Sequence, residues 1–124
     1  MSITEFLLAR IAQDEAAAQS AMGAGATWVT AADTAAGIAG ADAGLLILVH
    51  NPVRVLAECE AKRRIVELHA VYPHPQVMVY GTIRPCSECG SVDDSPVEWP
   101  CRTLLALASV YADHPEFDPA WRAE

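Results

Sequence analysis

The sequence lacks an apolar run long enough to cross a membrane. Its most apolar stretch, residues 45–49, ends at His50-Asn51-Pro52, whereas a helical span needs about 18 residues or more. The N-terminus also lacks the basic region and apolar segment of a secretory signal. We therefore expect a soluble protein that stays in the cytoplasm and has no membrane partner.

Basic side chains are also scarce in this chain. The 124 residues include 8 Lys and Arg against 16 Asp and Glu, so the formal net charge is −8. A protein that binds nucleic acid mainly through its phosphates needs a basic surface. We therefore do not expect a nucleic-acid partner, and the acidic stretch from Ser91 to Glu124 could instead face an unknown protein partner.

Familiar catalytic motifs are absent as well. The sequence contains no G-x-S-x-G, no H-E-x-x-H and no glycine-rich phosphate loop. Asp113 and His114 lie beside Tyr111 and could suggest acid–base chemistry, but neighbours at a helix end point in different directions. We interpret them as a surface turn capped by His114, and we expect a protein that is not an enzyme.

Large core-forming side chains are few, but they suffice for one small domain. Leu, Ile, Val and Phe number 29, about 23% of the chain, whereas Ala alone occupies 23 positions; chains below about 20% tend towards disorder. We expect one mainly α domain of about three helices, a short β hairpin or strand and a Cys-rich metal-binding loop. Residues 1–43 would form an amphipathic helix and an Ala/Gly-rich connector, and residues 44–124 a helical core with that loop.

The first helix is predicted from Ser2 and Glu5, whose spacing is that of a capping box. Apolar residues three and four apart continue to about Met22, and Gly23 and Gly25 end the helix. Residues 26–43 consist mainly of Ala, Gly, Thr and Asp, whose side chains are too small to pack well. We interpret them as a loop from which Trp28 folds back onto the core. The apolar run at residues 44–49 fits either a strand or a buried helix.

Two further helices are predicted in the remainder of the chain. Asn51-Pro52 suits the start of a helix that ends near His69, ahead of two prolines. The third helix covers about residues 100–112. A short strand or hairpin is predicted at residues 77–83, and Asp118-Pro119 caps a final turn that carries Trp121.

A cysteine pattern carries the clearest chemical signal. Cys86, Cys89 and Cys101 form a C-x2-C-x11-C sequence, and Gly90 follows the second cysteine. Two cysteines at this spacing can chelate one tetrahedral metal ion, and the glycine allows backbone N–H groups to point at the sulfurs. A redox pair or incidental cysteines are the alternatives. Cys59 lies mid-helix, and we interpret it as a small buried apolar residue.

A closed site needs a fourth ligand, and several residues compete for that position. His69 is favoured, because antiparallel second and third helices would bring it close to Cys101, whereas a helix would carry His114 nearly 20 Å away. A histidine that merely closes the helix by a hydrogen bond remains the alternative for His69. The other candidates are His50 and His74, with Asp93, Asp94 and Glu98 as weaker ones.

Three thiolates and one imidazole favour zinc over other divalent ions. We therefore predict a zinc ion held by His69, Cys86, Cys89 and Cys101, with a structural rather than a reactive role. Because the core is small and rich in alanine, a bound metal ion should contribute a large share of the free energy of folding.

Several motifs together resemble an uncharacterised family of small proteins, a domain of unknown function of actinobacteria and their phages. The resemblance covers most of residues 51–124 and rests on four stretches: Asn51-Pro52-Val53-Arg54-Val55-Leu56, Glu60-Ala61-Lys62-Arg63-Arg64-Ile65 with Leu68-His69, Trp99-Pro100-Cys101-Arg102-Thr103-Leu104, and Tyr111-Ala112-Asp113-His114-Pro115-Glu116-Phe117 with Trp121. The Cys86/Cys89 pair joins them. The resemblance implies that His69 and the three cysteines occupy the family's characteristic positions.

Two classes of function follow from these observations. The first is a non-enzymatic interaction, accessory or regulatory module of a phage or its host, which binds a protein partner through the acidic C-terminal third or the apolar face of the first helix. The alternative is a thiol redox or metal-responsive switch that uses Cys86 and Cys89.

Overall fold

The computed structural model describes residues 1–23, 28–92 and 95–122. Contacts between Cα atoms divide the chain into two compact units, Met1–Arg10 with Lys62–Glu124, and Ile11–Ala61. The chain is mainly helical, as predicted for the fold class, but the described residues form five α-helices and two short antiparallel hairpins instead of about three helices and one hairpin or strand. No helix within the described residues is both long and apolar enough to span a membrane.

Helix α1, Ile3–Gly23, begins with the predicted capping box. The Ser2 backbone N–H donates to Glu5 Oε2 at 2.8 Å, and the Glu5 N–H donates to Ser2 Oγ at 3.1 Å. Each side chain thus satisfies a backbone donor that has no partner inside the helix. The helix ends at Gly23 as expected, and Gly25 lies outside the described residues.

The helix predicted after Asn51-Pro52 is α4, Pro52–Leu68. Its first turn is capped by Asn51, whose Oδ1 accepts a hydrogen bond of 3.1 Å from the Arg54 N–H. Proline is tolerated at the start because its missing N–H would have no helical partner there. The last helical residue, Leu68, directly precedes His69, so the prediction of this helix is confirmed.

The segment predicted as a loop at residues 26–43 is helical where it is described, apart from Gly40. Helix α2 covers Trp28–Ala39 and helix α3 covers Ala41–Val49, so residues 44–49 are helical as well. Trp28 begins α2 and is half-buried. Residues 26 and 27 lie outside the described residues.

Small side chains explain why the loop prediction was wrong. Alanine has the highest helix propensity of all residues, and small residues let two helices approach closely. A Cβ atom placed on Gly44 of α3 would lie 2.7 Å from the Ala32 carbonyl oxygen and 2.9 Å from the Ala36 Cβ of α2. Low side-chain volume therefore permits tight packing of these two helices instead of preventing it.

The larger unit contains the hairpins and helix α5. Strands β1, Gln76–Met78, and β2, Gly81–Ile83, form the predicted hairpin. Residues 86–100, which we expected to be a turn-rich loop, include a second hairpin of β3, Ser91–Val92, and β4, Ser95–Pro96. Helix α5 covers Arg102–Ser109, and a 3₁₀ turn covers Pro119–Trp121, where Asp118 Oδ1 accepts from the Ala120 N–H at 2.9 Å.

An aromatic cluster centred on Phe6 forms the core of this unit. The Phe6 ring is fully buried and lies 5.1 to 6.2 Å from the rings of four residues: Tyr111, His114, Phe117 and Trp121. His114 is half-buried and accepts a hydrogen bond of 3.1 Å from the Glu116 N–H, so it caps a turn as predicted. The cluster ties the start of α1 to the C-terminal segment.

Candidate metal centre

Backbone hydrogen bonds bring three chain segments together at the end of α4. The Ser87 N–H donates to the Ala70 carbonyl at 2.9 Å, and the Cys86 N–H donates to the Val97 carbonyl at 2.8 Å. Isolated bridges pair Val71 with Cys86 and Pro85 with Glu98. The segment that carries Cys86 therefore lies between the residues that follow α4 and the residues that precede α5.

The C-x2-C segment is a tight turn folded around the Cys86 sulfur. The backbone N–H groups of Glu88 and Cys89 donate hydrogen bonds to that sulfur. Gly90 has φ of +65°, a left-handed conformation in which a side chain would be strained. The predicted role of this glycine in letting the turn form is thus visible in the backbone.

Cys101 enters the site from the start of α5. It is the N-cap residue of that helix, with extended backbone angles of φ −78° and ψ 168°. Two residues earlier, the Trp99 indole Nε1–H donates to the His69 carbonyl oxygen at 3.0 Å, and the Trp99 N–H donates to the Arg84 carbonyl at 2.8 Å. These bonds fix the segment leading into α5 against the end of α4.

The ligand atoms of the four predicted residues lie close together. The His69 Nδ1 atom lies 3.5 Å from the Sγ atoms of Cys86 and Cys89 and 3.4 Å from that of Cys101. All four candidate ligand atoms lie within 4.8 Å of one another. These four residues span 32 positions of the chain, from residue 69 to residue 101, and they form one cluster.

Ordinary hydrogen bonding does not account for this arrangement. One imidazole Nδ1 carries either a single proton or a single lone pair, so it cannot form three equivalent hydrogen bonds to three sulfurs. Around a tetrahedral zinc ion with Zn–N of about 2.0 Å and Zn–S of about 2.3 Å, a nitrogen and a sulfur ligand lie about 3.5 Å apart. The three observed N···S distances fit a common central ion.

The thiols also show why the cluster favours a cation. Burial raises the pKa of Cys86, but the N–H groups of Glu88 and Cys89 and the His69 ring outweigh it and lower that pKa to about 7. Burial, together with the neighbouring sulfurs of Cys86 and Cys101, raises the pKa of Cys89 to about 12. Several thiolates held this close repel one another, and a divalent ion would neutralise that repulsion.

The cluster is largely shielded from solvent. The exposed fraction is 3% for Cys86 and 2% for Cys101, whereas His69 and Cys89 are half-buried. Cys89 lines an open cavity of about 470 Å³ together with Val97, Arg102 and Thr103. Four protein ligands complete a tetrahedral shell, which is the arrangement of structural rather than catalytic zinc sites.

The other candidate ligands are not part of this cluster. Among the described residues, the group that could hold a metal ion includes none of His50, His74, His114 and Glu98. Asp93 and Asp94 lie outside the described residues. Cys59 is buried within α4 with an exposed fraction of 2%, as expected for a small apolar side chain, and it does not join the cluster.

Sequence reasoning missed Trp99 as a supporting residue of this centre. Its indole bonds to the backbone of His69 rather than to a ligand side chain, and no spacing rule predicts such a bond. The available signal was its position two residues before Cys101, since side chains beside metal ligands often hold those ligands in place.

The fold and the cluster define a small, mainly helical protein with a three-cysteine, one-histidine group suited to a metal ion. The chain belongs to the family of unknown function DUF6221, whose model matches residues 1–123. No curated protein and no solved structure shows significant similarity to the chain.

Proposed function

We propose that this protein is a non-enzymatic interaction module whose fold is held together by one structural zinc ion. The ligands are His69, Cys86, Cys89 and Cys101. The ion ties the end of α4, the C-x2-C turn and the start of α5 to one another. The module acts as an accessory or regulatory factor in the cytoplasm of an actinobacterial host or of its phage.

The observation that carries the proposal is the equal distance of three sulfurs from His69 Nδ1, 3.4 to 3.5 Å. The donor set supports zinc, because thiolate and imidazole ligands together suit a tetrahedral ion of borderline softness. None of the four cysteines, all of which lie within the described residues, forms a disulfide bond, which agrees with a reducing compartment.

The non-enzymatic role is supported by the closed ligand set. A catalytic zinc ion keeps one position open for water or substrate, whereas three sulfurs and one nitrogen fill a tetrahedral shell. The host assignment is supported by the family resemblance of residues 51–124.

Elemental analysis of the full chain, purified without added metal, tests the proposal. We expect one zinc ion per chain and a melting temperature that falls sharply when a strong chelator is added, because binding energy at such sites is largely folding energy. Absence of bound metal, together with a melting temperature that the chelator does not change, would contradict the proposal.

Single substitutions assign the ligands. Cys86→Ser, Cys101→Ser and His69→Ala should each lose the metal, whereas Cys59→Ala and His114→Ala should retain it. The first control removes a buried thiol outside the cluster, and the second removes a histidine of the aromatic core. Metal loss in the controls but not in the cluster variants would show that the ion binds elsewhere.

A thiol switch is the second candidate, and the accessibility of Cys89 favours it. This cysteine is half-buried, lines an open cavity, and its Sγ lies within 4.8 Å of that of Cys86. A two-electron oxidant such as hydrogen peroxide would join the two sulfurs as a disulfide, with reduction of the peroxide to water and release of the metal. A reversible 86–89 disulfide under mild oxidation supports the switch, and zinc that stays bound with no disulfide excludes it.

A further inference from the structure

Helix α5 has an outer face that no other described element covers completely. Four positions of α5 and the C-cap residue that follows it line an open cavity of about 470 Å³ together with Ile65 of α4. Those positions are Arg102, Thr103, Ala106, Leu107 and Val110. The inner positions Leu104 and Ala108 are fully buried, so α5 presents one face to the core and an opposite face to solvent.

The outer face is apolar along its length and charged at its ends. Ala106, Leu107 and Val110 lie in the middle, and Val110 is 67% exposed. Arg102 is the first residue of α5. Hydrogen bonds from the N–H groups of Val110, Tyr111 and Ala112 continue the turn beyond Ser109, so Asp113 follows Arg102 by about three turns, close to the same stripe.

Both charges are placed unfavourably for an isolated helix. A cation near a helix N-terminus and an anion near its C-terminus oppose the helix dipole. Within the described residues, neither Arg102 nor Asp113 has an ion-pair partner, and both are exposed. Local helix stability therefore does not explain why these two residue types stand at these two ends.

We propose that the outer face of α5 is the contact surface of a symmetric homodimer. When two α5 helices pack antiparallel about a two-fold axis, Arg102 of each copy meets Asp113 of the other. Leu107 lies midway between these two positions, so it packs near the axis, and the small Ala106 beside it allows the helices to approach closely. The surface is self-complementary, as an interface with two-fold symmetry requires.

This surface replaces the one expected on the first helix. The apolar residues of α1 that could have formed a docking face, Ile3, Phe6, Leu7 and Ile11, are all at most 2% exposed. The dimer deepens the proposed interaction role by naming a second copy of the chain as a partner, and it rests on that role. One short helix buries less area than the roughly 1,200 Å² of a standard interface, so the dimer should dissociate readily on dilution.

Sedimentation equilibrium of the metal-loaded full chain tests the proposal. The wild-type protein should show a concentration-dependent monomer–dimer equilibrium. Arg102→Glu and Asp113→Arg should each weaken association at least tenfold, and the double variant, which exchanges the two charges, should restore it. Arg84→Glu changes an exposed arginine outside this face and should leave the equilibrium unchanged.

A second pair of variants tests the apolar part of the face. Val110→Glu should abolish the dimer, whereas Val77→Glu, at an 84% exposed position of β1, should not. Metal content is measured on every sample, so loss of the zinc site and loss of the dimer are distinguished. A wild-type protein that stays monomeric, including one that binds only a different protein, or a double variant that fails to recover, overturns the proposal.

Discussion

The indole Nε1–H of Trp99 donates a hydrogen bond of 3.0 Å to the backbone carbonyl oxygen of His69. Carbonyl groups at the end of a helix have no partner inside the helix, and here the bond to Trp99 satisfies one of them just beyond α4. Because Trp99 lies two residues before Cys101, the bond joins the two segments that carry the most distant members of the cluster.

Replacing this tryptophan should loosen the metal centre. Trp99→Phe keeps an aromatic ring but removes the donor, and loss of a supporting bond beside a metal ligand typically lowers metal affinity by about 10- to 100-fold. Competition with a chromophoric chelator measures the change. Trp28→Phe, in the other compact unit, should leave zinc affinity unaltered, and equal losses in both variants would contradict the assignment.

Two glycines in neighbouring helices should respond oppositely to alanine. At Gly44 the new Cβ would lie 2.7 Å from the Ala32 carbonyl oxygen, and such overpacking typically costs about 1–3 kcal/mol. At Gly37 the new Cβ would have no neighbour within 4 Å apart from the adjoining residues and the backbone of its own helix, so Gly37→Ala should stabilise α2 by about 0.5–1 kcal/mol. Urea unfolding measures both, and equal effects would show that α2 and α3 do not pack this closely.

Zinc binding should release protons. At about pH 8 the Cys86 thiol, with a pKa of about 7, is mostly ionised, whereas Cys89, with a pKa of about 12, is protonated. A cysteine binds zinc only as its thiolate. Cys89 must therefore lose its proton when the ion binds, and zinc affinity should increase with pH. Calorimetric titrations in two buffers of different ionisation enthalpy count the released protons, and identical heats in both buffers would contradict this prediction.

The capping box should make the start of α1 sensitive to acid. The Ser2 backbone N–H holds the pKa of Glu5 below its usual value of 4.5. Since the folded-state pKa is the lower one, the stabilising contribution is complete above pH 4.5 and disappears as the pH falls through the folded-state value. Glu5→Gln should remove this pH dependence from thermal unfolding, whereas Glu67→Gln, at an exposed position of α4, should retain it.

Local chemistry explains which parts of the fold were predictable from the sequence. Ser2 with Glu5 and Asn51 with Pro52 mark helix starts through bonds that each motif makes within one turn, and both starts are confirmed. Helix α2 was missed, and α3 was left open between strand and helix, because these helices pack through small residues such as Ala32 and Gly44. Neither residue has a side chain large enough to reveal an apolar periodicity.

The candidate centre shows the same division between local and distant information. The Cys86–Cys89 turn and its glycine are readable from five consecutive residues. The approach of His69 was predicted from an assumed antiparallel packing of two helices, whereas the structure achieves it through backbone bonds of Ala70 and Val97 to the C-x2-C segment. Nearly every residue has the same backbone donor and acceptor, so the amino-acid sequence does not show which of them form such bonds.

The spread of the cluster along the chain has a consequence for biosynthesis. His69, Cys86 and Cys89 leave the ribosome before Cys101, so a growing chain holds an incomplete ligand set until the start of α5 has been made. Closing the 69–101 loop costs entropy that the bonds to the ion must exceed. A chain that terminates before Cys101 therefore lacks the closing ligand and cannot form the four-ligand group that would hold an ion.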